Sequence, residues 1–440
     1  EFASANSENE SGVHSWLESV LGPKWAFLGA WSYFFVNLFF FCSLLPNTLI
    51  YGSYAFLGQN VFQGNHSTKI IAVISILLFW LMTWVCIKGV SWISKVTSLA
   101  GGARLFMGVA FVVLAFVVVF GFGNEPAQEF TTTSIIPTFN WTFFMTMAWI
   151  LQAVGGGESI GVYIKDVKGG NKTFVRTMIG ATIAVGIMYI LGAVAVGLVV
   201  PTDVLKGNFS NGIFDIFKIL GTYFHIPAAM MVRLVGIILF VGSLGSLALW
   251  TAAPVKVFFS EIPDGVFGKW LVKTNEEGNP TNALLVQGII VTILVAIPAL
   301  GIGNMDSFLE TLINMTASTS LVPVLFLLIA YIGLRWKKET MPRSFRFGNR
   351  TFGLIAGIFL LAIFIFVFFM STVPDPKLIM EEINGTLPKG TASPLGMLAY
   401  NIIGLIVFMG FAWICWKRYE TKEKNEVGKG EMDYEDLGKL

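Results

Sequence analysis

Three consecutive glycines and a carboxylate, Gly155-Gly156-Gly157-Glu158, fall inside residues 141–163, an apolar stretch long enough to cross a bilayer. Neither feature suits an unbroken membrane helix. Each glycine costs roughly 1 kcal/mol of helix propensity relative to alanine, and a carboxylate at the bilayer centre costs roughly 2.5 to 3.5 kcal/mol on insertion scales. The pattern therefore predicts a helix that stops and restarts within the membrane. Non-helical backbone at that depth must be buried in protein or line a wet cavity, and such breaks mark midplane sites of secondary transporters. The first half-helix would end in unpaired carbonyls that suit an ammonium, and the second would begin with unpaired amides that suit an anion. A zwitterion offers both charges. The competing use of the glycines is close packing between helices.

The elements that must position this break are membrane helices. Of 440 residues 55% are hydrophobic and only 13% charged, about half the charge of a soluble domain. Apolar windows of about 20 residues place ten spans, at 25–54, 69–89, 95–122, 141–163, 174–200, 226–258, 282–302, 307–334, 351–371 and 395–416. Of the 29 Lys and Arg, one alternate set of loops holds only Lys69, Lys206, Lys218, Arg233, Lys377 and Lys389. The positive-inside rule then puts both chain ends in the cytoplasm, which an even number of spans requires. Residues 211–224 read either as a short amphipathic helix on the outer face or as a plain external loop. The tail, 418–440, is charged and poor in apolar residues, which reads as disorder.

Several functions find no support in this composition. A net charge of +2 gives no reason to expect a nucleic-acid partner. Cys42, Cys86 and Cys415 lie inside apolar spans at no metal-ligand spacing, so they read as packing residues and no metal or other cofactor is expected. The opening EFASANSENESG is polar and acidic where a signal peptide would be basic and then apolar, and it reads as a cut rather than a natural start.

Three stretches resemble the amino acid, polyamine and organocation (APC) transporter superfamily, and within it the bacterial glutamate:GABA antiporter group. The first is the opening through LGPKWAF, with Glu10-Ser11-Gly12 where the family carries a glycine pair. The second is Ala153-Val154-Gly155-Gly156-Gly157-Glu158-Ser159-Ile160-Gly161, similar to the family's interrupted sixth helix. The third is Leu244-Gly245-Ser246-Leu247-Ala248-Leu249-Trp250-Thr251 with the later Pro263-Asp264-Gly265 and Asn275-Glu276-Glu277-Gly278-Asn279-Pro280, similar to helix 8 and its loop. The resemblance implies an all-α polytopic membrane protein with the LeuT-type five-plus-five inverted repeat. On that alignment the chain carries about ten membrane helices, family helices 3 to 12, and lacks helix 1 and most of helix 2. Residues 1–24 would be the end of helix 2 and its cytoplasmic link, 25–417 the transport domain, and 418–440 a cytoplasmic tail.

The resemblance also assigns roles. Val154, Gly155, Gly156 and Gly157 would supply helix 6 carbonyls for a substrate amino group. Glu158 matches a proton-sensing or site-organising glutamate, a role consistent with a group whose neutral form gains when water is withdrawn. A structural bond to a neighbouring helix amide is its alternative. Trp250 would line or close the cavity, Asn37 would face it from helix 3, and Thr316, in a hydroxyl patch with Ser318, Thr319 and Ser320, would line the side-chain pocket unless back-bonding to its own helix explains it. Arg104 stands where proton-coupled relatives place a lysine bridging helices 1, 5 and 8, a candidate cation site; alternatively it snorkels to the surface. Arginine holds its proton where lysine can lose it, so occupancy of that site would favour obligate exchange. Two departures are Gln152, where arginine:agmatine exchangers carry a tryptophan gate, and Lys165-Asp166-Val167-Lys168-Gly169-Gly170, where the family has an acidic-Asn-Pro turn.

The expected function is amino acid transport by alternating access in the inner or plasma membrane, with glutamate/GABA-like exchange ahead of proton-coupled uptake of a neutral amino acid. The expected partners are amino acid substrates and the bilayer, as a monomer or a homodimer. A membrane enzyme is disfavoured because His14, His66 and His225 fall in predicted loops and no carboxylate pair shares a cavity. A transporter-like sensor without flux is the remaining class.

Overall fold

The computed structural model describes residues 1–6, 12–64, 66–88, 93–131, 136–158, 167–263, 265–276, 279–302, 304–388 and 392–437. Side chains 93–97, 100, 253, 256–257, 260–261 and 424–437 lie outside that description, as do Glu10-Ser11, Ser159-Ile160-Gly161, Lys165-Asp166, Asp264, Glu277-Gly278 and Lys389 from the sequence reading.

The short N-terminal helices α1 (Phe2–Ala5) and α2 (Val13–Leu21) are followed by α3 (Pro23–Leu57), α4 (Ser67–Ile87) and α5 (Ile93–Phe116), which ends in a π-turn at Val117–Gly121. Next come α6 (Trp141–Val154), α7 (Gly170–Val199), α8 (Thr202–Leu205), α9 (Gly212–Tyr223), α10 (Ala228–Glu261) and α11 (Gly268–Val272). The chain ends with α12 (Thr281–Gly301), α13 (Met305–Lys337), α14 (Arg350–Thr372), α15 (Pro376–Ile383) and α16 (Pro394–Leu437). Among the described residues nine of these helices are long and apolar enough to cross a membrane. Within the tenth expected span, 141–163, the described helix α6 has 14 residues, roughly 21 Å at 1.5 Å per residue against a hydrocarbon core of about 30 Å, and the last residues of that span, 159–163, lie outside the described residues.

Local chemistry sets the ends. Pro23 starts α3, where a missing N–H is harmless, and Gly58, at φ +75, closes it in the left-handed conformation. Asparagine caps three starts: the side-chain oxygens of Asn140, Asn304 and Asn349 accept from the amides of Phe143, Ser307 and Phe352 at 2.8, 3.0 and 2.8 Å.

Apolar on every side, α3 sits where every side can be covered, packed by α2, α4, α10, α12, α13 and α16. Its most apolar window is 72% buried, against 17% for the helix led by Arg350 and 11% for α16. Phe27, Phe35, Phe39 and Phe41 are fully buried along it, while α14 and α16 are the most exposed of the described membrane helices. Glycine permits the tightest crossing, between α3 and α10: a Cβ on Gly236 would stand 2.6 Å from the Ala55 nitrogen and 2.9 Å from its Cα.

The α13–α14 connection is fastened by Arg335, which is fully buried. Its guanidinium donates to the carbonyls of Phe347, Gly348 and Asn349 at 2.6, 3.2 and 3.2 Å and faces Glu1 and Glu339 at 3.5 and 3.3 Å. A charge this deep is tolerated because each face of the fork meets an acceptor.

Of the two readings of residues 211–224 the structure has the helix: α9 buries its apolar face on the bundle, with Phe214 stacked on Tyr54 and Phe217 packed on Phe111. Two expectations change. The tail continues α16 to Leu437 instead of leaving it at Trp416; Lys and Glu are good helix formers, and Glu420 with Lys424 has the i,i+4 spacing that supports a helix. His14 lies on α2 rather than in a loop, buried, with Nδ1 3.8 Å from Glu18. Burial pushes its pKa below the usual value, with Glu18 opposing.

Because the atoms crowding Gly236 are backbone, the helices must separate to admit a methyl group. Gly236→Ala should destabilise the bundle by about 1 to 3 kcal/mol, read as a lower thermal midpoint in detergent. An unchanged midpoint would show that the crossing has slack.

Candidate functional site

The helix break lies where the glycines put it. α6 stops at Val154; Gly155 is extended (φ −74°, ψ 179°), and its amide closes the last turn on Leu151 O and Gln152 O at 3.1 and 3.2 Å. Gly156 follows at φ +100°, a region that strains any side chain. Its N–H donates to Glu158 Oε2 at 3.1 Å, so the carboxylate folds back over the break. Tyr33 of α3 brings its phenol beside that carboxylate. The Tyr33 hydroxyl makes no hydrogen bond of standard geometry among the described residues. From α7, the Tyr189 hydroxyl donates to Ala153 O at 3.1 Å. The carbonyls of Val154 and Gly155 come after the last full turn, where helical partners run out.

Beside the break is a cavity of about 340 Å³, lined by Phe40 and Ser43 of α3, Trp149, Gln152 and Ala153 of α6, and Thr316 of α13. That volume is at the low end of small-molecule sites. Two polar ties set its walls. Trp149 Nε1 donates to Asn314 Oδ1 at 2.7 Å, pinning α6 to α13. Thr316 Oγ1 lies 2.9 Å from Phe39 O, 2.8 Å from Leu312 O and 3.4 Å from Ser43 Oγ. One hydroxyl proton cannot serve all three, so the Thr316–Ser43 pair can re-aim toward a guest. Among the described residues the lining carries no charged side chain. A charged guest would have to be met by backbone dipoles, the two hydroxyls and the aromatic faces.

The structure brings together some of the residues named from sequence and separates others. Thr316 lines the cavity; Val154, Gly155, Gly156 and Gly157 follow directly on Ala153, with the first three exposed and Gly157 against Met178. Asn37 is buried but not part of the lining: its amide donates to Tyr33 O at 2.9 Å. Trp250 lies one residue removed, edge-on to Phe40 at 6.0 Å. Arg104 sits apart, its guanidinium donating to Ser243 Oγ, Leu239 O and Ser246 Oγ of α10 at 2.8, 3.1 and 3.3 Å. Phe40, Ser43, Trp149 and Asn314 went unnamed in the sequence reading. Ser43 could have been found as the hydroxyl one turn after Phe39 and Phe40, but the Trp149–Asn314 tie spans 165 positions and leaves no local signal.

The sequence profile of the amino acid permease family matches residues 1–408. The chain belongs to this family. It is 27% identical over 362 residues to the aspartate/glutamate permease AcaP of Lactococcus lactis subsp. cremoris (strain MG1363), covering 81% of this chain and 74% of that protein. The glutamate/gamma-aminobutyrate antiporter of Lactococcus lactis subsp. lactis (strain IL1403) is 25% identical over 437 residues, covering 96% and 81%. The inner membrane transporter YjeM of Escherichia coli (strain K12) is 22% identical over 354 residues, covering 75% and 71%. The chain is thus an amino acid permease family transporter, an all-α multi-pass membrane protein and not an enzyme.

Trp149→Phe keeps an aromatic wall but deletes the N–H that Asn314 accepts. An unpaired amide oxygen costs roughly 1 to 3 kcal/mol. The variant should raise the KM for transported amino acid roughly tenfold at near-normal expression. An unchanged KM in labelled uptake would mean that the tie does not shape the cavity.

Proposed function

We propose that this permease exchanges amino acids by alternating access, taking an acidic amino acid such as glutamate against a related neutral one such as GABA, with both ends of the described chain in the cytoplasm. The observation that carries this reading is the cavity beside the Gly155–Glu158 break. Carbonyls of Val154 and Gly155 would receive the substrate ammonium, Thr316 and Ser43 would receive polar atoms of its side chain, and Trp250, behind Phe40, would limit access. Arg104 supports exchange over proton symport, since arginine keeps its charge through the cycle and is held on α10 by three acceptors. Names of the relatives agree in part: one is an aspartate/glutamate permease and one a glutamate/gamma-aminobutyrate antiporter.

Glu158 links this site to pH. While ionised it occupies the Gly156 N–H; protonation weakens that charge-assisted bond and releases an amide at the break for the substrate. Glu158→Gln resembles the protonated form. It should alter the pH profile of exchange more than it alters substrate affinity. A wild-type profile at normal expression would remove Glu158 from proton sensing.

Counterflow tests the exchange itself. Liposomes holding the full-length protein are loaded with glutamate, GABA or nothing, and labelled glutamate entry is followed at pH 5.5 and 7.5. Entry confined to loaded vesicles is expected. Entry into empty vesicles driven by a proton gradient would favour proton-coupled uptake, and saturable binding without entry would favour a sensor.

A further inference from the structure

Where α16 leaves the apolar region, an open groove of about 460 Å³ is lined by Trp413, Ile414, Lys417, Arg418, Thr421 and Lys422. Lys24, at the start of α3, lies over the Trp413 ring at 3.6 Å, and Lys417 lies 5.9 Å from the same ring. Trp25 flanks it at 6.3 Å. Two cations, from opposite ends of the chain, thus flank one tryptophan, and Arg418 and Lys422 line the groove beside it. Glu420 and Glu423 share the segment, but neither lines the groove.

The groove continues into an apolar track. Ile403, Ile406, Val407, Trp413 and Ile414 are all exposed on α16, at 59, 64, 57, 37 and 53%. Spacings of 403, 407, 414 and of 406, 413 put them on one side of the helix. The track therefore runs along the membrane-facing helix and ends among the cations. Tryptophan and basic residues at such a boundary meet headgroups while the apolar stripe meets acyl chains.

We infer that this groove binds an anionic phospholipid, its phosphate among Lys417, Arg418, Lys422 and Lys24, its headgroup against Trp413 and one acyl chain along the Ile403–Ile414 track. The phosphate could equally be read by these cations in a free anion. The apolar track is what selects the lipid, because a free phosphate gains nothing from it. The site is remote from the Gly155–Glu158 break and does not rest on the proposed exchange.

The test uses full-length protein in neutral detergent, with the thermal unfolding midpoint followed on titration of dioleoylphosphatidylglycerol, dioleoylphosphatidylcholine, or sodium phosphate. Phosphatidylglycerol should raise the midpoint saturably, phosphatidylcholine should shift it much less, and phosphate should not shift it. Each basic residue near a membrane surface contributes roughly fivefold in affinity for anionic lipid, so Lys417→Gln/Arg418→Gln/Lys422→Gln should need on the order of a hundredfold more phosphatidylglycerol for the same shift. Lys417→Arg/Lys422→Arg should behave as wild type, which separates lost charge from lost folding. Equal shifts with both lipids, an undiminished shift in the triple variant, or an equal shift with phosphate alone would each overturn the lipid site.

Discussion

The architecture depends on the burial of α3. A 35-residue helix without a polar face can be stable only if other helices or lipid cover it all round, and here protein does most of the covering. That fixes the neighbours: α10 can come close because of Gly236, α13 lies along a second side, and α16 closes a third. The cavity exists because α3 also holds one wall of it fixed. Phe40 and Ser43 project from a helix that cannot shift without disturbing the tightest crossing in the bundle, so motion in the site must come from α6, α13 or their ends.

Against that fixed wall, α6 is the incomplete element. Fourteen residues do not cross the hydrocarbon, and the glycines that end the helix leave backbone groups in need of partners. The structure satisfies some of them internally, with Tyr189 on Ala153 O and the Glu158 carboxylate on Gly156 N–H. Those bonds are made by side chains, which can swing away, rather than by a continuing helix, which cannot. A site whose polar groups are provisionally satisfied can exchange those partners for a guest at a smaller desolvation penalty than a fully bonded helix would face.

Most of the fold was legible, for a physical reason: hydropathy over 20 residues reports the bilayer, and the nine long apolar helices among the described residues all start within a few residues of where apolar windows place them. The break was legible too, since Gly155, Gly156, Gly157 and Glu158 violate helix propensity and membrane solvation together. What sequence could not supply was the pairing of distant positions. Asn37 reads as a residue facing the cavity from helix 3, and nothing in its local sequence says that its amide donates to Tyr33 O one turn back on its own helix. Trp149 reads as one more aromatic in an apolar run, yet its N–H decides how α6 meets α13. Periodicity identifies a face; it does not say which side chain across the gap has the complementary atom.

The same limit explains why Lys24 and Trp413, 389 positions apart, carry no signal separately. A lysine next to a membrane helix is what positive-inside charge bias produces anywhere, and a tryptophan near a helix end is ordinary interfacial chemistry. Their meeting at 3.6 Å ties the first buried helix to the last exposed one at a single level of the bundle. α3 is held by packing on nearly all sides, whereas α16 has mostly lipid to hold it. A cationic pocket at their junction places the lipid contact on the helix with least protein support, so the bilayer's own composition becomes one of the forces that position α16 against the scaffold.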